Sequence, residues 1–154
     1  MLKTSFFVAV FMACSGVGVS QTPDPMTAVR QYMDSFNKGD VKGMVAVCAT
    51  QTTILDGMAP HSWQGSTACA DWYRDVLIEG EQHGASGYVV TLGKPRQLDV
   101  KGDAAYVVLP ASMSFKLKGK QVTQTGATWT LALRKEAGDW RIAIWAWTKG
   151  SARP

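Results

Sequence analysis

The hydrophobic pattern of this chain changes period between its two halves, and that change limits the folds open to it. In "AVRQYMDSF" (28–36) the apolar residues follow the i, i+3, i+4, i+7 spacing of one buried helical stripe. In "DAAYVVLPASMSFKLK" (103–118) apolar and polar residues alternate, which is the period of a strand with one buried face. Helices followed by a run of strands predict an α+β domain.

Three helices are expected in the first half. The first spans about Met26–Asn37, and the second spans about Asp40–Ala49 after the tight junction "FNKGD". A short strand, "TTILDG" (52–57), comes next. The third helix begins after a Ser66/Thr67 cap and ends between Gly80 and Gly84.

Four long strands are expected in the second half. "GYVVTLGKPRQLDV" (87–100) is a strand interrupted near Pro95, residues 103–118 form the next, and "QVTQTGATWTLALRKEAGDWRIAIWAW" (121–147) supplies two more. Glycine-containing tips of hairpin length separate neighbours, so the sheet should be antiparallel. A strongly curved sheet around three helices forms a cone, and its open end is a natural place for an apolar pocket.

The first 20 residues are expected to lie outside this fold. "MLKTSFFVAVFMACSGVGVS" has an early lysine, an apolar run and then small residues, which is the layout of a secretory signal. Lipidation at Cys14 is a weaker alternative, and the apolar run is too short for a stable membrane anchor. Residues 21–25 would be a disordered lead-in and residues 26–150 the domain, so a periplasmic or secreted protein is expected.

Charge and cysteine content argue against several classes of function. The net charge of +4 is scattered, with only "KLKGK" (116–120) locally dense, so nucleic-acid binding is not expected. Cys48 and Cys69 would remain after processing and provide no metal-site spacing. Export permits a disulfide between them, but helical positions would bury both, and this favours two buried thiols.

Two tryptophans near the end of the chain suggest an interface. Trp145 and Trp147 should share one face of the last strand, opposite Ile142 and Ile144. One pair must face outward, and two exposed tryptophans would form a sticky patch. We therefore expect a second copy of the chain to cover the sheet face, as a homodimer.

Two segments resemble a known superfamily. "MTAVRQYMDSFNKGDVKGMVAVCATQTTILDGM" (26–58) is similar to the start of NTF2-like proteins, and in particular to ketosteroid isomerases and SnoaL-like proteins. "WTLALRKEAGDWRIAIWAW" (129–147) resembles the closing strand pair of SnoaL-like and DUF4440-type members. The resemblance covers nearly all of 26–148 and implies the cone fold described above.

The resemblance also implies roles for particular residues. In ketosteroid isomerases a tyrosine on the first helix and a second carboxylic acid hold the substrate oxyanion, and an aspartate is the base. Tyr32 matches the tyrosine and Asp56 matches the base. Trp129 stands where the family has its second acid, so half of the oxyanion hole is changed.

Alternation along "TTILDG" supports the assignment of Asp56, because it places Asp56 and Ile54 on the same inward face. The expected ligand pocket also includes Trp129, Trp63, Trp72 and Met113. The chemistry would be proton abstraction next to a carbonyl on a small apolar molecule, with no cofactor and no metal.

Plainer interpretations stay open. Tyr32 could be a core tyrosine bonded to a backbone carbonyl, and Asp56 could be a turn residue in an Asp-Gly pair. The same pocket could belong to a non-catalytic ligand carrier, or the sheet face to an assembly module.

Overall fold

The structure, a computed structural model, describes residues 24–153. The expected secretory signal, the Cys14 alternative and most of the expected lead-in lie outside the described residues. Three helices are present: α1 (Pro25–Lys38), α2 (Val41–Val45) and α3 (Ala68–His83). None of the helices in the described range is long and apolar enough to cross a membrane.

Helix α1 begins one residue earlier than the sequence predicts. The sequence assigned Pro25 to the disordered lead-in, but this residue occupies the first helical position, where its missing N–H is not needed. Asp24 caps the helix, with its Oδ1 accepting a hydrogen bond from the Met26 N–H at 2.9 Å. The helix ends at Gly39, whose φ of 69° is left-handed.

Helix α2 is shorter than predicted. Asp40 caps it through the Gly43 N–H at 3.0 Å, as expected, but the helix ends at Val45 rather than Ala49. Val47 and Ala49 are buried on either side of a more exposed Cys48, and this period of two belongs to a strand. Cys48 therefore starts strand β1 instead of lying on the helix.

Eight strands form one curved mixed sheet against these helices. The order across the sheet is β2-β1-β7-β6-β5-β3, with β4 paired to β5 and β8 paired to β6. Their bounds are β1 (Cys48–Leu55), β2 (Ser62–Gly65), β3 (Ala85–Leu92), β4 (Gln97–Lys101), β5 (Ala104–Leu117), β6 (Lys120–Glu136), β7 (Asp139–Thr148) and β8 (Ser151–Arg153). The predicted α+β architecture, with three helices packed against a curved sheet, is confirmed.

One pairing in the sheet is parallel. The hairpin neighbours pair antiparallel as expected, whereas β1 pairs parallel with β7, with Ile54 opposite Trp145. Hairpin lengths constrain only strands that are adjacent in sequence, so they did not determine this contact.

The alternation predicted for β5 is confirmed. Val107 and Leu109 are fully buried on the inner face, while Tyr106 on the outer face is 41% exposed. The inner face of the sheet packs on α1 through β7 and β3, and the α1 stripe of Val29, Tyr32, Met33 and Phe36 is buried as the spacing predicts.

The prediction for the faces of β7 holds for Trp145 and Trp147, which both line the inner cavity opposite the exposed Ile144, but it is wrong for Ile142. The register shifts between Ala132 and Leu133 of β6, which pair with Ile144 and Ile142, so Ala143 is an extra residue on β7. This bulge breaks the alternation and turns Ile142 and Trp145 to the same inner face, both at most 2% exposed. Ile144 is left 47% exposed outside. The tryptophan pair is therefore the one that faces inward, and the homodimer stays a prediction.

Cys48 and Cys69 form a disulfide, with Cα atoms 6.8 Å apart. The preference for two buried thiols was wrong because Cys48 lies at the start of β1, next to the first turn of α3, rather than on a helix. The bond ties the strand that leads to Asp56 to the helix that carries Trp72.

Candidate functional site

A cavity of about 150 Å³ lies between α1, α3 and the inner face of the sheet. Its walls are mainly apolar, and seven aromatic residues contribute to them: Tyr32, Phe36, Trp72, Tyr88, Trp129, Trp145 and Trp147. The charged residues along it are Asp56, Glu79 and Lys149. Helix α1, the end of β1 and the last long strand thus converge on one hollow.

The structure brings together most of the residues that the sequence placed in the pocket. Tyr32 and Asp56 line the same cavity, together with Trp72, Trp129 and Met113.

Ile54 and Trp63, which were also expected in the pocket, lie in the core behind its wall instead. Ile54 is fully buried and pairs across the sheet with Trp63 on β2 and Trp145 on β7. The Trp63 Nε1 donates a hydrogen bond to Asp75 Oδ2 on α3 at 2.8 Å. Both side chains therefore support the site without facing it.

Asp56 follows β1 directly and is half-buried. Its Oδ1 accepts a hydrogen bond from the Met58 N–H at 2.9 Å, and its Oδ2 accepts one from the Trp72 Nε1 at 3.4 Å. The contact with the Met58 N–H is typical of a turn residue. The contact with Trp72 is made to a side chain that lines the cavity. Asp56 is therefore a turn residue, and the turn fixes its carboxylate beside the hollow.

Tyr32 is 1% exposed, and its hydroxyl finds no hydrogen-bond partner anywhere in the described chain. It is therefore not tethered to a backbone carbonyl. Its ring packs against Trp129 at 5.6 Å and against Trp145 at 6.2 Å between centroids.

Burial raises the pKa of Tyr32 well above its ordinary value of 10.0. The negative charge of Asp56 adds to this rise, and the approach of the Trp145 indole N–H opposes it. The Trp145 N–H does not form a hydrogen bond with the Tyr32 hydroxyl, since neither group has a partner among the described residues. The phenol is thus a neutral donor close to a carboxylate.

Trp145 is among the cavity residues that sequence reasoning missed. It is 2% exposed, it lines the cavity, and its Nε1 lacks a hydrogen-bond partner within residues 24–153. The sequence assigned it to a sheet face only by strict alternation, and the Ala143 bulge defeats that rule. The unequal exposure of Ile142 and Ile144 is the structural signal of the bulge.

Charged groups on the cavity have different surroundings. Glu79 forms an ion pair with His83 at 3.3 Å when the imidazole is protonated. Lys149 is exposed, and its stem lies over Gly57, where an added Cβ would meet Cε at 3.3 Å. Within the described range, no group of three or more His, Cys, Asp or Glu side chains is placed to hold a metal ion.

A family model described as a SnoaL-like domain matches residues 26–146. The chain belongs to the SnoaL-like family. The match covers α1 and every strand from β1 to most of β7, so the residues that line the cavity up to Trp145 lie within it.

Solved structures share the fold of this SnoaL-like domain at low sequence identity. A hexachlorocyclohexane dehydrochlorinase from Novosphingobium barchaimii is 10% identical with a TM-score of 0.70, and the alignment covers 84% of this chain and 88% of that one. A ketosteroid isomerase-like protein from Erwinia carotovora atroseptica is 18% identical, with a TM-score of 0.64 and coverages of 82% and 93%. An NTF2-like protein of unknown function from Pseudomonas putida is 15% identical, with a TM-score of 0.61 and coverages of 80% and 82%. At these identities the likeness shows the fold alone.

Proposed function

We propose that this SnoaL-like domain is a cofactor-free enzyme that moves a proton on a small, largely apolar carbonyl compound. The observation that carries the proposal is that the Asp56 carboxylate and the unpartnered Tyr32 hydroxyl line one cavity. An acid–base group and a neutral hydrogen-bond donor are the two parts that abstraction of a proton next to a carbonyl requires.

Asp56 would act as the base. Its carboxylate takes a proton from the carbon beside the carbonyl, and the electron pair of the broken C–H bond moves to give an enolate. Tyr32 donates a hydrogen bond to the enolate oxygen while the negative charge is there. The carboxyl group of Asp56 then returns the proton to the same carbon or to a neighbouring carbon of a conjugated enolate, and the latter is an isomerisation.

The size and lining of the cavity indicate the kind of substrate. A volume of about 150 Å³ is similar to that of an apolar cavity that holds benzene. Aromatic and methionine side chains make up most of the wall, and they favour an apolar body over a charged one. A single-ring ketone is therefore the simplest suitable ligand.

A non-catalytic carrier is the second candidate, and Trp129 favours it. In the isomerases that the sequence resembles, an acid stands at this position. Here the buried indole packs on the Tyr32 ring and supplies no acid. Losing one oxyanion donor typically lowers the rate by about 10²–10³-fold, so turnover would be slow or absent.

Deuterium exchange separates the two candidates. The protein is incubated with cyclohexanone in D₂O, and NMR measures the loss of the hydrogens next to the carbonyl. The enzyme should exchange them faster than buffer, and Asp56→Asn should lose this activity while still binding cyclohexanone, as followed by tryptophan fluorescence. Asp34→Asn is a matched control, since Asp34 is an exposed carboxylate on α1. Exchange at the buffer rate, or an Asp56→Asn variant as active as the wild type, would refute the enzyme and favour the carrier.

We also propose that the protein is exported and that it dimerises through the sheet. The Cys48–Cys69 disulfide supports export, because such bonds persist in oxidising compartments. Tyr106, Ala132 and Ile144 lie in one row across three strands, and the first and last are exposed apolar side chains. Cell fractionation tests the first proposal. For the second, Ile144→Lys should convert a dimer into a monomer in light scattering.

A further inference from the structure

Two hydrogen-bond donors in the cavity wall have no acceptor. The Tyr32 hydroxyl and the Trp145 Nε1 are both buried, and neither finds a partner among the residues that the structure describes. Their rings are neighbours, 6.2 Å apart between centroids at an interplanar angle of 70°. Since both residues line the same cavity, one bound atom can satisfy both donors.

The geometry points to Trp145 as a second catalytic hydrogen-bond donor that, with Tyr32, holds one oxygen atom of the bound molecule. A buried donor without a partner costs about 1–3 kcal/mol, so each of the two groups favours a ligand that brings an acceptor. An indole N–H donates only, and a phenol kept neutral by burial can also donate. A carbonyl oxygen has two lone pairs and an enolate oxygen has three, so either can accept a hydrogen bond from both donors.

This inference rests on the proposed function, and it narrows the substrate to a compound whose carbonyl oxygen lies between these two donors. It also assigns to Trp145 the role that a second carboxylic acid has in the ketosteroid isomerases that the sequence resembles. Trp129 stands at that position in the sequence but packs on the Tyr32 ring, whereas Trp145 on the next strand presents an unpartnered N–H. The bulge at Ala143 makes this possible, because it turns Trp145 inward.

Indole N–H resonances test the inference directly. The chain has six tryptophans, so ¹⁵N labelling gives a small set of side-chain signals, and triple-resonance experiments assign that of Trp145. Cyclohexanone is compared with methylenecyclohexane, which has the same shape without the oxygen. We expect cyclohexanone to move the Trp145 proton signal downfield and the hydrocarbon to leave it in place. This measurement uses the wild-type protein and needs no variant to fold.

Affinity gives the second measurement. Trp145→Phe keeps an aromatic ring and removes the N–H, so it should weaken cyclohexanone binding by roughly 2- to 10-fold and leave the hydrocarbon unaffected. Trp140→Phe is the matched control, because it removes an indole from the same strand at a residue that does not line the cavity. It should leave the binding of both probes unchanged within twofold.

Failure of the inference and failure of the proposed function give different results. A Trp145 signal that responds equally to both probes, or cyclohexanone binding that Trp145→Phe leaves unchanged, overturns the donor pair even where Asp56-dependent exchange is seen. A downfield shift specific to cyclohexanone, without any exchange, supports the donor pair and assigns it to a carrier.

Discussion

Phenylalanine in place of Tyr32 would remove one oxygen atom from the core and leave the ring where it is. The hydroxyl is fully buried and has no hydrogen-bond partner, so the native state bears its desolvation cost without compensation. That cost is about 1–3 kcal/mol. The ring contacts with Trp129 and Trp145 survive the substitution, so little is lost in return. We expect the free energy of unfolding to rise by about 1–2 kcal/mol, whereas most substitutions lower it.

Urea unfolding followed by tryptophan fluorescence measures this effect. The midpoint of Tyr32→Phe should move to higher urea at an unchanged slope. Tyr106→Phe is the control, since this side chain is 41% exposed and its replacement should change stability by less than about 0.5 kcal/mol. Slowed or abolished deuterium exchange in the stabilised variant would show that the hydroxyl is kept for function at a cost in stability.

Alkaline unfolding provides a second test of the same substitution. The folded state raises the pKa of Tyr32 above 10.0, so above about pH 10 the unfolded chain loses this proton and the native state keeps it. The contribution of Tyr32 to stability is therefore complete below pH 10 and falls by about 1.4 kcal/mol per pH unit above it. Tyr32→Phe should remove this part of the slope. A variant less stable than the wild type by about 1 kcal/mol would mean that the hydroxyl is bonded. An unchanged alkaline slope would mean that folding does not raise the pKa of Tyr32, and either result would refute the reasoning.

Two further predictions concern the support of the site. Replacing Cys48 and Cys69 by alanine removes a disulfide that joins residues 21 apart in the sequence. The free energy of unfolding, measured in urea, should fall by about 3 kcal/mol. If reductant and substitution both leave the urea midpoint unchanged, the bond does not form in solution. Trp72→Phe removes the indole donor to Asp56 and should slow deuterium exchange roughly 2- to 10-fold while cyclohexanone binding stays within twofold. Trp63→Phe is the control, because it removes a hydrogen-bonded indole that lies outside the cavity, and it should leave the exchange rate unchanged. An equal loss of exchange in both variants would count against a positioning role for Trp72.

Local periodicity predicted the parts of this molecule that repeat regularly. The stripe on α1 placed Tyr32 inside, and alternation beyond β1 placed Asp56 beside the cavity. These predictions were confirmed because each depends on the geometry of a single element and on the direction of its buried face. The interpretations of Tyr32 and Asp56 as catalytic residues stay predictions.

The features that sequence patterns missed depend on contacts between distant segments. A single extra residue on β7 reverses the faces of the residues beyond it, and nothing in "RIAIWAW" marks Ala143 as that residue. Prediction of the disulfide depended on the end of α2. Because the predicted helix was too long, it placed Cys48 on α2 instead of at the start of β1. The parallel pairing of β1 with β7 joins segments that no hairpin connects.

That parallel pairing has a consequence for biosynthesis. Strand β7 lies between β1 and β6, and it carries Trp145, while Tyr32 lies on the first helix of the described chain. A growing polypeptide therefore contains Tyr32 and Asp56 early, but it cannot complete the cavity until β7 has emerged and has paired with both β6, made just before it, and β1, made much earlier. Closing so long a loop is slow relative to forming local hairpins. The cavity is thus complete only once β7 is in place, and we expect any ligand-binding signal during refolding to report this late step.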